Sequence, residues 1–343
     1  MVAFKQLARL TLSSIHDRYP LHTLTNLKEK PKSKLDISEE TTTDTERHYD
    51  HIKLLERRGE FARALENCYL GLYTHADVLF GIEALGILLA FRDLKWAQSL
   101  VQKLPESIAV VKKLRSVIDF LSAGNEIALV QFCGTELSFL ITGDNWELES
   151  THIAGQIFEE DEVGLIVESC PRDGIFIDIG ANCGNHSVTV AKLRPDVKVI
   201  PIEAEPRAVE ILIKNVEGNA LDNIDLSYLG RAIAAEAGQT ALQWTSSVSS
   251  TRPSSDEFGI RVDNITLPEL LIPNAFVKLD IEGPELDIIK SSIEEITKCR
   301  PLIMIEALHP SLDGLEEQLM SLGLAIEREF EMHAGKNLLL KAI

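Results

Sequence analysis

Three stretches in the second half of the chain end apolar runs on carboxylates, the place where an open α/β sheet carries its ligand. In the first, FIDIGANCGNHSV at residues 176–188, a strand closes on Asp178, a glycine-bearing turn follows, and a helix starts near Asn185. Gly180 and Gly184 tolerate the backbone angles such a turn needs, and Asn182 is the next best residue for a left-handed position. The helix start at Asn185 and His186 offers N–H donors to an anionic group, while Asp178 can meet an ammonium directly or through water. A ligand carrying both an amino group and a carboxylate fits that pair. A dinucleotide site would read G-x-G-x-x-G without the preceding acid. The pattern D-x-G-x-N-x-G suits the amino-acid end of S-adenosylmethionine (SAM) better than a pyrophosphate. As a turn merely joining strand to helix, the stretch would leave Asp178 a gratuitous buried charge.

In the second stretch, VIPIEAEP at 199–206, Glu203 closes the next strand and is placed to accept hydrogen bonds from two ribose hydroxyls. Glu205 competes for that role but is expected past the strand end. In the third, VKLDIEGPEL at 277–286, Asp280 and Glu282 alternate with apolar residues and so project to one face at the strand's C-terminal edge. Pro284 suits the first turn of a helix, which Glu282 and Glu285 would on the plainer reading only cap. Two carboxylates at such an edge are costly unless they meet cofactor, substrate or metal.

From about Gly155 to Ile343 the chain resembles the FkbM family of class I SAM-dependent methyltransferases. Four pieces in order carry the resemblance. They are a D-x-G-A-N-x-G turn (Asp178–Gly184), an E-P-x-P-like second strand (Glu203–Pro206), a K-x-D-x-E-G-x-E strand (Lys278–Glu285) and a P-x-I-x-x-E strand (Pro301–Glu306). Ala204 stands where the family usually has proline, and Pro284 replaces a small residue. The resemblance implies methyl transfer, usually to a hydroxyl oxygen of a sugar, glycan or polyketide-like small molecule. With the motifs it assigns SAM to Asp178, Gly180, Asn182, Gly184, Asn185, His186, Glu203 and Asp280.

An alcohol acceptor must lose its proton. Acceptors near the expected cleft are Asp280, Glu282, Glu306, His186 and His309, and Asp280, Glu282 and His309 form the expected catalytic set. His309 follows the fifth strand and titrates near neutrality, although a histidine before Pro310 is equally at home in a solvated turn. No metal-ligand set is read. Asp280 as a ligand to Mg²⁺ is chemically sound but nothing in the sequence calls for it.

The elements that must position these residues alternate after Gly174. Strands are expected at 175–180, 197–203, 224–230, 276–282 and 302–306, with helices at 185–194, 206–219, 284–298 and 311–322. The tail reads as two strands turning at Ala334-Gly335-Lys336. The fold class is therefore α/β, a Rossmann-like, mostly parallel seven-stranded sheet with a terminal antiparallel hairpin. The polar stretch 244–259, with Trp244 and Arg252, reads as a long loop, either a substrate lid or an insertion.

Ahead of this unit the apolar period is helical from about Glu46 to Ser122. GEFARAL at Gly59 recurs loosely as RDLKWAQ at Arg92, with Phe61 matching Leu94 and Ala64 matching Ala97, 33 positions on. That spacing resembles the tetratricopeptide repeat, though two copies suit a plain helical bundle as well. Residues 1–19 have the stripe of a short amphipathic helix, and 20–46 have a linker's composition. The domains expected are thus 1–45, an N-terminal segment and linker; 46–123, helical; and 124–343, the methyltransferase domain, led in by a hairpin around Gly134 and a helix at 157–169.

Of 343 residues, 53 are acidic and 34 basic, a formal net charge of −19 that repels phosphate backbones. Nucleic acid is accordingly set aside as a partner. Five cysteines far apart read as scattered buried thiols of a reducing compartment. The longest apolar stretch, Val78–Phe91, contains Glu83 and is too short to span a bilayer. A cytoplasmic enzyme is expected, its helical domain left for a protein partner, self-association or the acceptor. The alternative is a SAM-binding scaffold that acts through its helical domain without catalysis, since a fold alone does not settle function.

Overall fold

The computed structural model describes residues 15, 18–19, 44–75, 77–243, 245, 253–254, 259–281, 283–308, 314–331 and 335–343. The helix expected over 1–19, the linker over 20–46 and the loop over 244–259 lie almost wholly outside these residues, as do Glu282 and His309. Two compact units result. The first holds the described residues up to Ala128, Ile141–Ala154 and Thr245; the second holds Leu129–Leu140 and the rest.

In the first unit the helical periodicity becomes α1 (Asp44–Arg57), α2 (Phe61–His75), α3 (Val78–Ala90), α4 (Leu94–Val101), α5 (Ala109–Ser122) and, later in the chain, α6 (Trp146–Ile153). The α3 helix is apolar all round and therefore central, with Phe80, Ala84, Leu85, Ile87, Leu88 and Leu89 fully buried. Its one acid, Glu83, is met by Lys53 Nζ at 2.6 Å and by the Tyr49 hydroxyl at 2.8 Å. Asp77 and Asp93 cap α3 and α4 by accepting from the Leu79 and Trp96 N–H groups. The turns at Gly59 and Arg92 share a conformation: both residues have positive φ, and Glu60 N–H donates to Leu55 O as Asp93 N–H donates to Leu88 O. The α6 helix has no counterpart in the sequence reading, because WELESTHI lacks an apolar stripe; Asn145 starts it by accepting from Leu148 N–H.

The second unit takes in, from Leu129 on, a hairpin of β1 (Ile127–Phe132) and β2 (Thr135–Leu140). It turns at Cys133 and Gly134 with φ of 49° and 75°, the two positive angles of a type I′ turn. After α7 (Glu160–Ser169) come β3 (Ile175–Ile179), α8 (Asn185–Leu193), β4 (Lys198–Ile202) and α9 (Pro206–Gly218). Four short strands follow, β5 (Arg231–Ile233), β6 (Gln239–Leu242), β7 (Pro253–Ser254) and β8 (Ile260–Ile265). The rest is β9 (Ala275–Leu279), α10 (Glu285–Ser291), α11 (Ile293–Cys299), β10 (Leu302–Leu308), α12 (Leu315–Ser321), β11 (Leu324–Glu331) and β12 (Gly335–Ala342).

The main sheet has the order β11-β12-β10-β9-β3-β4. β3 runs parallel to β4 and β9, and β9 parallel to β10, while β12 is antiparallel to both β10 and β11. That is the expected mostly parallel sheet with a terminal antiparallel pair, with six strands rather than seven. Alternate strand residues divide the core. Ile177, Ile202, Val277 and Ile305 pack with residues of α10, α11 and α12, and Phe176, Val199, Phe276 and Met304 pack with residues of α7 and α8.

Four details differ from the sequence reading. The strand expected at 224–230 is a single parallel bridge, Val199 to Ile224. Asp225 accepts from Ser227 N–H and Oγ and turns the chain into a 3₁₀ turn instead. The helix expected at 284–298 breaks at Ser292 into α10 and α11. Gly335 and Lys336 begin β12 rather than the turn, and Ala334 lies outside the described residues. A separate four-stranded sheet, β5-β8-β6-β7, is unforeseen, its strands being short and only partly buried.

Asn215 of α9 and Asn219, which caps its C-terminus, tie the hairpin to the sheet unit. Asn219 accepts from Ser138 N–H at 3.0 Å and donates to Ser138 O at 2.7 Å; Asn215 accepts from Leu140 N–H at 2.7 Å and donates to Cys183 O at 2.8 Å. The side chains take the place of a neighbouring strand. Asn219→Ala should therefore lower stability by about 1–3 kcal/mol in urea unfolding and raise amide hydrogen exchange at Ser138 selectively. Unchanged exchange at Ser138 would show that the hairpin is held by apolar contacts instead.

Candidate active site

Followed toward the C-terminal ends of the parallel strands, the sheet face of Phe176, Phe276 and Met304 changes from apolar to polar. Two positions on from these residues stand Asp178, Lys278 and Glu306, and Asp280 comes two after Lys278. Asp178 is in register with Lys278 across β3 and β9, and Glu306 with Asn337 across β10 and β12. A period of two thus lays a polar rim beside an apolar floor.

Lys278, 3 % exposed, is the cation of this rim. Its Nζ donates to Asp280 Oδ2 at 2.5 Å. Burial works to lower the ammonium's pKa, but Asp280, Asp178 and Glu159 outweigh it and hold the group charged. In return Lys278 overcomes the burial of Asp280 and keeps that carboxyl below its ordinary value, with Glu306 also bonded to it. Asp178 is fully buried, and burial raises its pKa against the opposing effect of Lys278. Its Oδ2 accepts from Ser187 Oγ at 2.5 Å, whereas its Oδ1 has no hydrogen-bond partner.

The turn after β3 has the backbone expected of it, with φ of 79°, 50° and 89° at Gly180, Asn182 and Gly184. The N–H groups of Gly180 and Ala181 both donate to Ile202 O, at 3.0 and 3.1 Å. Glu203 at the end of β4 completes the turn. Its Oε2 accepts from Asn182 N–H at 2.8 Å, and its Oε1 accepts from the N–H groups of Ala204 and Glu205 at 2.8 and 2.7 Å. Burial pushes its pKa up to about 7 against these bonds. Glu205 is an N-cap, accepting from the N–H groups of Arg207 and Ala208 at the start of α9. Glu285 accepts from the N–H groups of Ile281 and Gly283, each at 3.0 Å, and shapes the loop ahead of its own helix.

The structure also brings in residues that sequence reasoning missed. The Asn185 amide donates to Phe158 O at 2.8 Å and accepts from Phe158 N–H at 3.3 Å, fixing the segment that leads into α7. That segment delivers Glu159, with φ of 56°, and Glu162 to the polar rim. Glu162 Oε1 accepts from Asn337 Nδ2 at 2.8 Å. Glu159 Oε2 lies 3.4 Å from His186 Nε2, and burial together with the positive Lys278 holds that imidazole neutral, well below its ordinary pKa. Glu159, Glu162 and His186 each offer a ligand atom within 4.8 Å of the others'. In sequence the two glutamates look like acids favoured by a helix N-terminus, and only their place opposite His186 distinguishes them. Of the expected catalytic set, Asp280 sits on the rim, and Glu282 and His309 lie outside the described residues.

Residues 178–330 match the sequence model of the methyltransferase FkbM domain, a segment beginning at the rim aspartate and ending within β11. No curated protein matches the chain. Among solved structures, a precorrin-6y C5,15-methyltransferase from Geobacter metallireducens is 16% identical, covering 54% of this chain and 89% of its own, with a TM-score of 0.36. TYW2 of M. jannaschii, in complex with AdoMet, is 13% identical over 64% of this chain and 87% of its own, with a TM-score of 0.36. The Pyrococcus abyssi tRNA (uracil-54, C5)-methyltransferase, in complex with S-adenosyl-L-homocysteine, is 14% identical over 64% of this chain and 45% of its own, with a TM-score of 0.38. These likenesses leave the exclusion of nucleic acid on net charge untested. No helix among the described residues is long and apolar enough to cross a membrane.

Gly180 offers a sharp test of the site's construction. A Cβ there would collide with the Asp280 carbonyl oxygen, whereas Gly230, with the same φ of 79°, has nothing within 4 Å of such an atom. Gly230→Ala should cost about 1 kcal/mol, the strain of a left-handed alanine, and Gly180→Ala at least about 3 kcal/mol more. Equal losses in thermal or urea unfolding would mean that β3 and β9 do not approach so closely.

Proposed function

We propose that this chain binds SAM at the carboxyl ends of β3, β4 and β9 and transfers its methyl group to a hydroxyl oxygen of a sugar, glycan or polyketide-like small molecule. The observation that carries the reading is Asp178, a fully buried aspartate with one oxygen fixed by Ser187 and the other without a partner. A buried acceptor left unsatisfied costs about 1–3 kcal/mol, and an ammonium group satisfies both its hydrogen-bonding capacity and its charge. The start of α8 supplies the complementary pole for a carboxylate. The cofactor's amino-acid end carries both groups. When bound, SAM supplies a methyl group on a sulfonium, to be displaced by an acceptor oxygen.

The chain's own residues then divide the work. Asp178 orients the amino-acid end, while Glu203 holds the turn and, with three N–H bonds accepted out of about four available lone-pair positions, keeps room for a ribose hydroxyl. Asp280, ionised beside Lys278, accepts a hydrogen bond from the nucleophile, sets its direction and takes its proton as the methyl group leaves the sulfur. The helical unit is left for recognition of the acceptor or of a protein partner.

Calorimetry should show binding of SAM and S-adenosylhomocysteine and none of NAD, and Asp178→Asn should weaken SAM binding about 10- to 100-fold. Methyl-labelled SAM offered with sugars, other hydroxylated small molecules and RNA should deliver label to a hydroxyl as an ether stable to base. NAD binding in place of SAM would overturn the cofactor. Label on RNA or in a base-labile ester would overturn the acceptor alone.

A further inference from the structure

We infer that Glu159, Glu162 and His186 form a binding site for one divalent transition-metal cation of the Mn²⁺ or Zn²⁺ class. The three donors come from the residue capping α7, the first turn of α7 and the first turn of α8, and their ligand atoms lie within 4.8 Å of one another. His186 Nε2 and Glu159 Oε2 are 3.4 Å apart. Two ligands about 2.1 Å from a shared ion in tetrahedral arrangement are themselves about 3.4 Å apart.

Proximity of acids is common without an ion, and the independent observation is what the cluster leaves unsatisfied. His186 and Glu162 are only 6 % and 5 % exposed, and neither His186 Nε2 nor Glu162 Oε2 has a hydrogen-bond partner. Buried polar atoms in native proteins rarely stay so, and such orphans call for water or an ion. Asn337 takes only the other oxygen of Glu162, and Lys278 donates to Asp280. A water molecule would satisfy the imidazole, but the two acids, whose pKa values burial pushes up, would then have to share a proton between them. A dication answers both needs.

The donor set narrows the ion. Two carboxylates with one neutral imidazole suit Mn²⁺ and Zn²⁺, whereas Mg²⁺ favours oxygen ligands and retained water. The partly exposed Glu159 is the side of entry. Three protein ligands leave coordination positions open, as catalytic rather than structural sites do. Any part the ion plays in methyl transfer rests on the function proposed above; its binding does not.

The test uses the full chain, stripped of metal with a chelator and without SAM. Titrated with Mn²⁺, the protein should take up one equivalent, read as loss of the free-ion electron paramagnetic resonance signal, and Zn²⁺ should compete for it. Glu162→Gln, which preserves an acceptor for Asn337, and His186→Gln should each weaken binding at least tenfold while circular dichroism shows the fold retained. Should either variant unfold, pulsed resonance on the wild-type complex serves instead and should show nitrogen coupling from one imidazole. Absence of a stoichiometric site, equal affinity in folded variants, or bound Mn²⁺ without nitrogen coupling would each overturn the assignment. SAM calorimetry on the same sample reports on the proposed function separately.

Discussion

A single buried ammonium governs the polar end of the sheet. Lys278 sits mid-strand in β9, a position that in a parallel sheet covered on both sides is ordinarily apolar. Its charge is kept because Asp280, Asp178 and Glu159 surround it, and theirs are tolerable because it is there. Removing one member of such a buried set leaves the others uncompensated, which costs more than the set contributes when whole. The end of β3, the loop after β9 and the start of α7 thus converge on one cation, although they lie far apart in sequence.

The geometry that allows this is elementary. In each of β3, β9 and β10 the same face carries a large apolar residue first and a polar one two positions later, at Phe176 and Asp178, Phe276 and Lys278, Met304 and Glu306. Packing on α7 and α8 is completed before the strands reach the site. Asn215 and Asn219 solve a similar problem on another surface, where helix side chains satisfy the backbone of a strand that has no neighbour on that side.

Much of this was legible from residue types and spacing. The alternation of strands and helices, the positive φ values of Gly180, Asn182 and Gly184, and the acids at the ends of β3, β4 and β9 all follow from local pattern. What escaped depends on partners distant in the chain. Glu159 and Glu162 are ordinary helix-start acids until α8 places His186 opposite them. The pairing of the Asn185 side-chain amide with the backbone of Phe158 is likewise not signalled by the local sequence. Ile224 shows the limit of periodicity: its apolar alternation suits a strand, but Asp225 bonds to Ser227 and ends the pairing after one bridge.

The place of β12 has a bearing on how the molecule is made. It lies between β10 and β11, both of which precede it in the chain. On a ribosome, β11 emerges with no strand to join, and β10 keeps one open edge until β12 threads between them. Open edges are templates for other chains, so the nascent protein passes through a sticky stage that ends only with the insertion of this strand. Both edges therefore stay open until residues 335–342 are made, well after the strands that carry the polar rim.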